Sequence, residues 1–177
     1  MRFLARVLLW LATIWSAVWF GGQLFNALMV VPHFSRSAPD SLTAWGEMRF
    51  DNLADFSVIF APLWTFVALL IVAAVAKDHP ARRWIIFSAV CALVSLMGLL
   101  GWMVPTIGRL VQPDHGGLDA ATVVIQLRQW TMANWIRIGI DFLTFMGATR
   151  ALTTSRRVIP GPLAMSETRL PPEESSI

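Results

Sequence analysis

Charge is scarce in this sequence. Of its 177 residues 14% are Asp, Glu, Lys or Arg, against about 25% in an ordinary soluble domain. That leaves too little polar surface for a globule in water. Cysteine occurs once, as Cys91, so no intrachain disulfide can form and no CxxC metal or redox spacing exists. The three histidines, His33, His79 and His115, fall in no diagnostic ligand spacing, so neither copper nor another metal is expected. None of them lies inside an apolar run, which argues against a bis-histidine haem. No GxGxxG, P-loop, HExxH or GxSxG pattern is present. The expectation is a protein without a bound cofactor.

Apolar residues make up 56% of the chain, and the mean hydropathy is +0.60. They fall in four long runs, a pattern suited to lipid rather than to a soluble core. The first goes from Phe3 to about Pro32 and is too long for a signal-peptide core, and Ser16-Ala17-Val18 is a poor cleavage site. The second spans Leu53 to Ala76, with Asp51 and Asn52 as cap candidates and Pro62 inside it. The third runs from Trp84 to about Ile107, and the fourth from after Asp119, which can cap it, to about Leu152. At 1.5 Å per residue the fourth helix is on the order of 50 Å long, against a hydrocarbon core of about 30 Å. Its first turns should stand out of the membrane. The expected fold is all-α: a four-helix transmembrane bundle over residues 1–152, then a disordered tail over 153–177 rich in Pro, Ser and Glu.

Basic residues set the orientation. Arg2, Arg6, Lys77, Arg82, Arg83, Arg150, Arg156, Arg157 and Arg169 fall on one side, and Arg36, Arg49, Arg109 and Arg128 on the other. The positive-inside rule puts both termini in the cytoplasm. The loop His33 to Asn52 is then exoplasmic. The pI of about 10.4 reflects residues placed beside lipid headgroups, so the bilayer is the expected partner and nucleic acid is not.

Chemistry concentrates in the fourth helix. Gln126, Trp130, Asn134, Arg137, Asp141 and Thr144 recur at steps of four, four, three, four and three, which puts them on one face. Ile136, Ile140, Leu143 and Met146 occupy the opposite side. Arg137 and Asp141 lie within the hydrocarbon zone, where an ionisable group costs roughly 2.5–3.5 kcal/mol on insertion scales. They can pair along the helix, yet Arg before Asp is the weaker order, so a second partner from another helix is expected. Gln23 and Asn26 in the first helix, three apart and beside Gly21-Gly22, reach a similar depth. His33, Arg49 and Arg109 gather in the same exoplasmic half, suiting an anion, a carbonyl or a phenolate. Trp130 could stack on a planar ligand. The bland counterparts are a structural ion pair, interhelical hydrogen bonds, and arginines reaching to headgroups.

Gly22-Gln23-Leu24-Phe25-Asn26 with Val31-Pro32, Trp45-Gly46-Glu47-Met48-Arg49, Pro105-Thr106 and Trp130-x3-Asn134-x2-Arg137 together resemble the four-helix membrane family that includes the anthrone oxygenases. Many bacterial members of it have no known function, and a bacterial inner membrane is the implied location. The resemblance covers residues from about 10 to 150 and implies a pocket in the exoplasmic half lined by Asn26, Arg49, Asn134 and Arg137. In characterised members it implies cofactor-independent insertion of oxygen into a polycyclic phenol. Gly108-Arg109 departs from the Asn-containing continuation of the oxygenases.

The resulting expectation is a pocket for a hydrophobic aromatic or quinone-like molecule, with oxygenase-like oxidoreductase chemistry as its furthest extension. Arg137 would stabilise negative charge and His33 would accept a proton. Gln23, Asn26, Arg49, Arg109, Trp130, Asn134 and Asp141 would bind. The rival is a non-catalytic subunit whose polar face docks a partner helix or a second copy of the chain.

Overall fold

The computed structural model describes residues 3–50 and 54–156, with backbone alone for 48–50, 54–61 and 156. The described residues are helical almost throughout, and none of them is in a strand. Helix α1 is Phe3–Ser35, α2 is Asp40–Phe50 and α3 is Ala54–Val75. Helix α4 is Arg82–Leu110 and α5 is Ala120–Arg156. α1 and α4 are long and apolar enough to cross a membrane, and α3 contains the shorter apolar stretch Pro62–Val75. The proposed caps Asp51 and Asn52 and the tail from residue 157 lie outside the described residues.

Two prolines shape the long helices in the same way. In α1 the turn Asn26–Val30 is widened, the Val31 N–H reaches back five residues to the Asn26 carbonyl, and Pro32 follows. In α4 the turn Leu99–Met103 is widened, Val104 reaches back to Leu99, and Pro105 follows. A proline ring has no N–H and crowds the carbonyl four residues before it. The wide turn moves that carbonyl aside, so each helix continues past its proline. Such turns are frequent at functional sites.

The start of α5 follows its sequence signal. Asp119 Oδ1 accepts the Thr122 N–H at 2.9 Å, and Oδ2 accepts the Thr122 hydroxyl at 2.7 Å. These bonds satisfy a donor that the first helical turn leaves open. They also hold the Asp119 carboxyl below the usual carboxylate range.

α1 packs against α3 and α5, and α4 packs against the same two, so the four long helices form a closed square. The segment His33–Asn52, expected as a loop, contains α2, which lies across one end of that square. Leu42 and Trp45, three residues apart, are buried, and the Ser41 hydroxyl donates to the Phe34 carbonyl. Leu42 and Trp45, the anchors among its described side chains, make a weak periodic signal in so short a helix. Gly46 belongs where α2 meets the end of α4, because a Cβ there would stand 2.9 Å from the Val111 carbonyl oxygen.

Three layers fill the bundle. At the base, Leu9, Leu69, Val72 and Ile85 pack with Ala5, Ala12, Ala76 and Ala89. At the α2 end, Phe34, Trp45 and Trp130 pack with Leu99, Met103 and Ile107. Between them lies a polar layer holding Ser16, Thr65, Ser95, Asn134, Arg137, Asp141 and Thr144, all buried. The outer surface is apolar: Leu11, Ile14 and Val18 on α1, Val90 and Val94 on α4, and Ile136, Leu143 and Met146 on α5 are exposed.

Candidate functional site

The polar face of α5 points into the bundle. Trp130, Asn134, Arg137, Asp141 and Thr144 are each no more than 4% exposed, so the helical spacing read from the sequence corresponds to one buried stripe. Arg137 Nη1 meets Asp141 Oδ2 at 3.3 Å as an i,i+4 pair. The weak order of that pair is offset by donors from two other helices. Trp19 of α1 donates its indole N–H to Asp141 Oδ2 at 3.1 Å, and Ser95 of α4 donates its hydroxyl to Oδ1 at 2.5 Å. The carboxylate therefore faces three donors. That is how a buried anion is tolerated where water is absent.

The other guanidinium nitrogen serves the opposite side. Arg137 Nη2 donates to Gln23 Oε1 at 2.5 Å and to Asn134 Oδ1 at 2.9 Å. A guanidinium has donors and no acceptor, so both amides must present oxygen to it. Their NH₂ groups are left for the cavity that both residues line. The Arg137 guanidinium carbon also stands 5.6 Å from the centre of the Trp19 ring, within cation–π range.

Two small cavities flank the pair. The one toward α2 is about 20 Å³ and is lined by Gln23, Asn26, Met103, Trp130, Asn134 and Arg137 among others. The one toward the base is about 10 Å³ and lies against Ser16, Trp19, Thr65, Asp141 and Thr144. The upper cavity holds one water-sized group. Its lining is rich in N–H donors and contains no carboxylate, histidine or thiol. It can therefore seat and polarise an oxygen acceptor, while Arg137 and Asp141 together leave the site close to neutral.

The structure brings together Gln23, Asn26, Trp130, Asn134 and Arg137 around this cavity, with Asp141 directly behind. Trp130 is already committed: its indole N–H donates to the Met103 carbonyl at 3.0 Å, and its ring meets Trp45 edge-on at 5.9 Å. His33 is exposed in the last turn of α1, its ring edge-on to Phe34 at 5.2 Å. It does not line the cavity. Arg109 is exposed too, and lines two outer grooves of about 700 and 320 Å³. The Arg49 side chain lies outside the described residues.

Trp19 and Ser95 belong to the site in addition to the residues expected from the sequence. A signal for Trp19 exists, because Ser16, Trp19, Gln23 and Asn26 follow steps of three, four and three along one face of α1. Ser95 is one serine inside an apolar run, and nothing local distinguishes it from Ser88. Comparison with known proteins gave no match to a family model, a curated protein or a solved structure.

Proposed function

We propose that this chain is a multi-pass protein of a cell membrane, with four spanning helices and both ends in the cytoplasm. In this reading its inner cavity binds one oxygen of a hydrophobic aromatic or quinone-like molecule. The observation that carries it is the donor-lined cavity beside a buried Arg137–Asp141 pair. A structural ion pair alone would need no unfilled donors next to it. Asn26 lines the cavity, and its side chain makes no hydrogen bond to any described residue.

The apolar outer surface supports the membrane setting, since a helix apolar on its outward side suits lipid. α5 is less apolar than its neighbours because Arg137 and Asp141 fall within it, a composition expected of intramembrane sites. The rival, a polar face that docks a partner helix, asks for that face on the outside. Exposure of 2% for Asn134 and 4% for Arg137 and Asp141 favours an internal role. Donors converging on one oxygen would also stabilise an oxyanion. That is the feature an oxygenase-like reaction on a phenol would use.

The test is equilibrium binding of 2-methyl-1,4-naphthoquinone to the full chain in lipid nanodiscs. Asn26→Ala and Asn134→Ala should each weaken binding about tenfold, the equivalent of one lost hydrogen bond to a buried partner. Asn26→Ala should leave the Tm unchanged. Unaltered quinone binding in both folded variants would sink the pocket reading.

A further inference from the structure

The upper cavity has room for one oxygen atom and none for the ring that would carry it. Among the described residues, a ring-sized position near it is filled by the chain itself. Trp45 lies face to face with Phe34, with ring centres 5.5 Å apart and planes 12° apart, and its indole meets Trp130 edge-on. Trp130 belongs to both sites: it packs against Trp45 and also lines the cavity beside Asn134 and Arg137. A flat ring standing where Trp45 stands could therefore direct a ring oxygen past Trp130 toward the donors of Asn26, Asn134 and Arg137.

The element that carries Trp45 is suited to moving aside. α2 is short, lies at the end of the bundle rather than within the square, and reaches inward through Trp45 to the Trp130 ring of α5. Beside it, the outer groove of about 700 Å³ is lined by Gly46, Pro105, Gly108 and Arg109. Val104 and Ile107, on the same stretch of α4, line the inner cavity. One turn of α4 thus separates the outer groove from the inner donors.

We infer that Trp45 occupies a ring-binding subsite, and that a planar aromatic ketone binds by replacing its indole between Phe34 and Trp130. This rests on the cavity reading given above and adds where the ring goes and what must leave. The indole excludes lipid tails and small apolar molecules from the donors until a ring of matching shape and an oxygen of matching position arrive together. Truncating it opens space of the order of the engineered apolar cavity of about 150 Å³ that takes up benzene.

The experiment compares 2-methyl-1,4-naphthoquinone with naphthalene, binding each to the full chain in nanodiscs. Trp45→Ala and Trp45→Leu should each bind the quinone about tenfold more tightly than the wild type, because no indole has to be displaced. Naphthalene should gain as well, while the quinone keeps its lead. Trp45→Leu preserves apolar packing, so one folded variant remains if the alanine form does not fold. Quinone affinity unchanged or lower in the folded Trp45→Leu variant overturns the subsite. Adding Asn26→Ala to Trp45→Leu separates the two readings. If the tighter binding persists and the quinone's lead over naphthalene survives, the donor cavity is wrong and the ring subsite stands. If the lead vanishes, both stand.

Discussion

The base and the α2 end of this bundle are built from different materials. At the base, alanines at Ala5, Ala12, Ala76 and Ala89 let the helices approach closely around Leu9, Leu69 and Ile85. Small residues at helix contacts let backbones come close. At the α2 end the core is aromatic and sulfur-bearing, both long apolar helices have widened turns, and a cavity lies beneath. The difference separates two tasks. The base holds four helices together, and under the proposed function the other end gives up regular packing to place donors and rings.

The sharpest way to break that contrast is through the layer between. Asp141→Ala leaves the Arg137 cation buried without its counterion, and removing one partner of a buried pair costs about 3–5 kcal/mol. The variant should lose most of its thermal stability in detergent, and quinone binding with it. Retained stability would mean that Asp141 is dispensable to the layer.

Leu9→Ala, at a fully buried base position, should cost about 2 kcal/mol. That is the low end for a core leucine, as expected in the proposed membrane setting, where part of the transfer term is absent. Its Tm should fall while quinone affinity stays as in the wild type. A binding loss here, in protein that remains folded, would show that the two ends are not separate in function.

Ser95→Ala removes one donor from the Asp141 carboxylate and leaves two. About 1 kcal/mol of stability should be lost, by the measure of interhelical hydrogen bonds in membranes. Chemical unfolding reads this directly. A loss as large as that of Asp141→Ala would mean the hydroxyl does more than donate.

The smallest effect lies outside the bundle, at the start of α5. The Asp119 carboxyl is held below its ordinary 3.8 by its bonds to Thr122, first the backbone N–H and then the hydroxyl. Its folded value is the lower one, so its stabilisation is present above 3.8 and is lost as pH falls through the folded value. The gap in helicity at this turn between wild type and Asp119→Ala should therefore narrow below pH 3.8, as followed by NMR shifts at Thr122. A gap independent of pH would show that the charge is not what caps the helix.

Much of this was legible along the chain. The bounds of the apolar helices, the cap at Asp119 and the shared face of Trp130, Asn134, Arg137 and Asp141 all follow from local rules of period and capping. The second partner for the ion pair was foreseeable in kind, because a buried Asp needs donors. Its identity was not. Trp19 is 122 residues from Asp141 and Ser95 is 46, and a helical period shows which residues share a face without showing what that face meets. His33 and Arg109 illustrate the same limit. Both fall at the α2 end of the bundle, yet both are exposed there and neither lines the cavity. α2 was hidden for another reason: among its described side chains Leu42 and Trp45 hold it, and its own pattern is close to neutral.

What the sequence determined by itself was an all-helical chain of apolar runs with one polar stripe down its longest helix, since hydropathy and period act locally. What tertiary structure decided was the meaning of that stripe. Four helices turned to particular angles made it an interior ion pair with donors on one side. Rotation about a helix axis is chosen only when neighbouring surfaces meet, so that choice is written in no single segment.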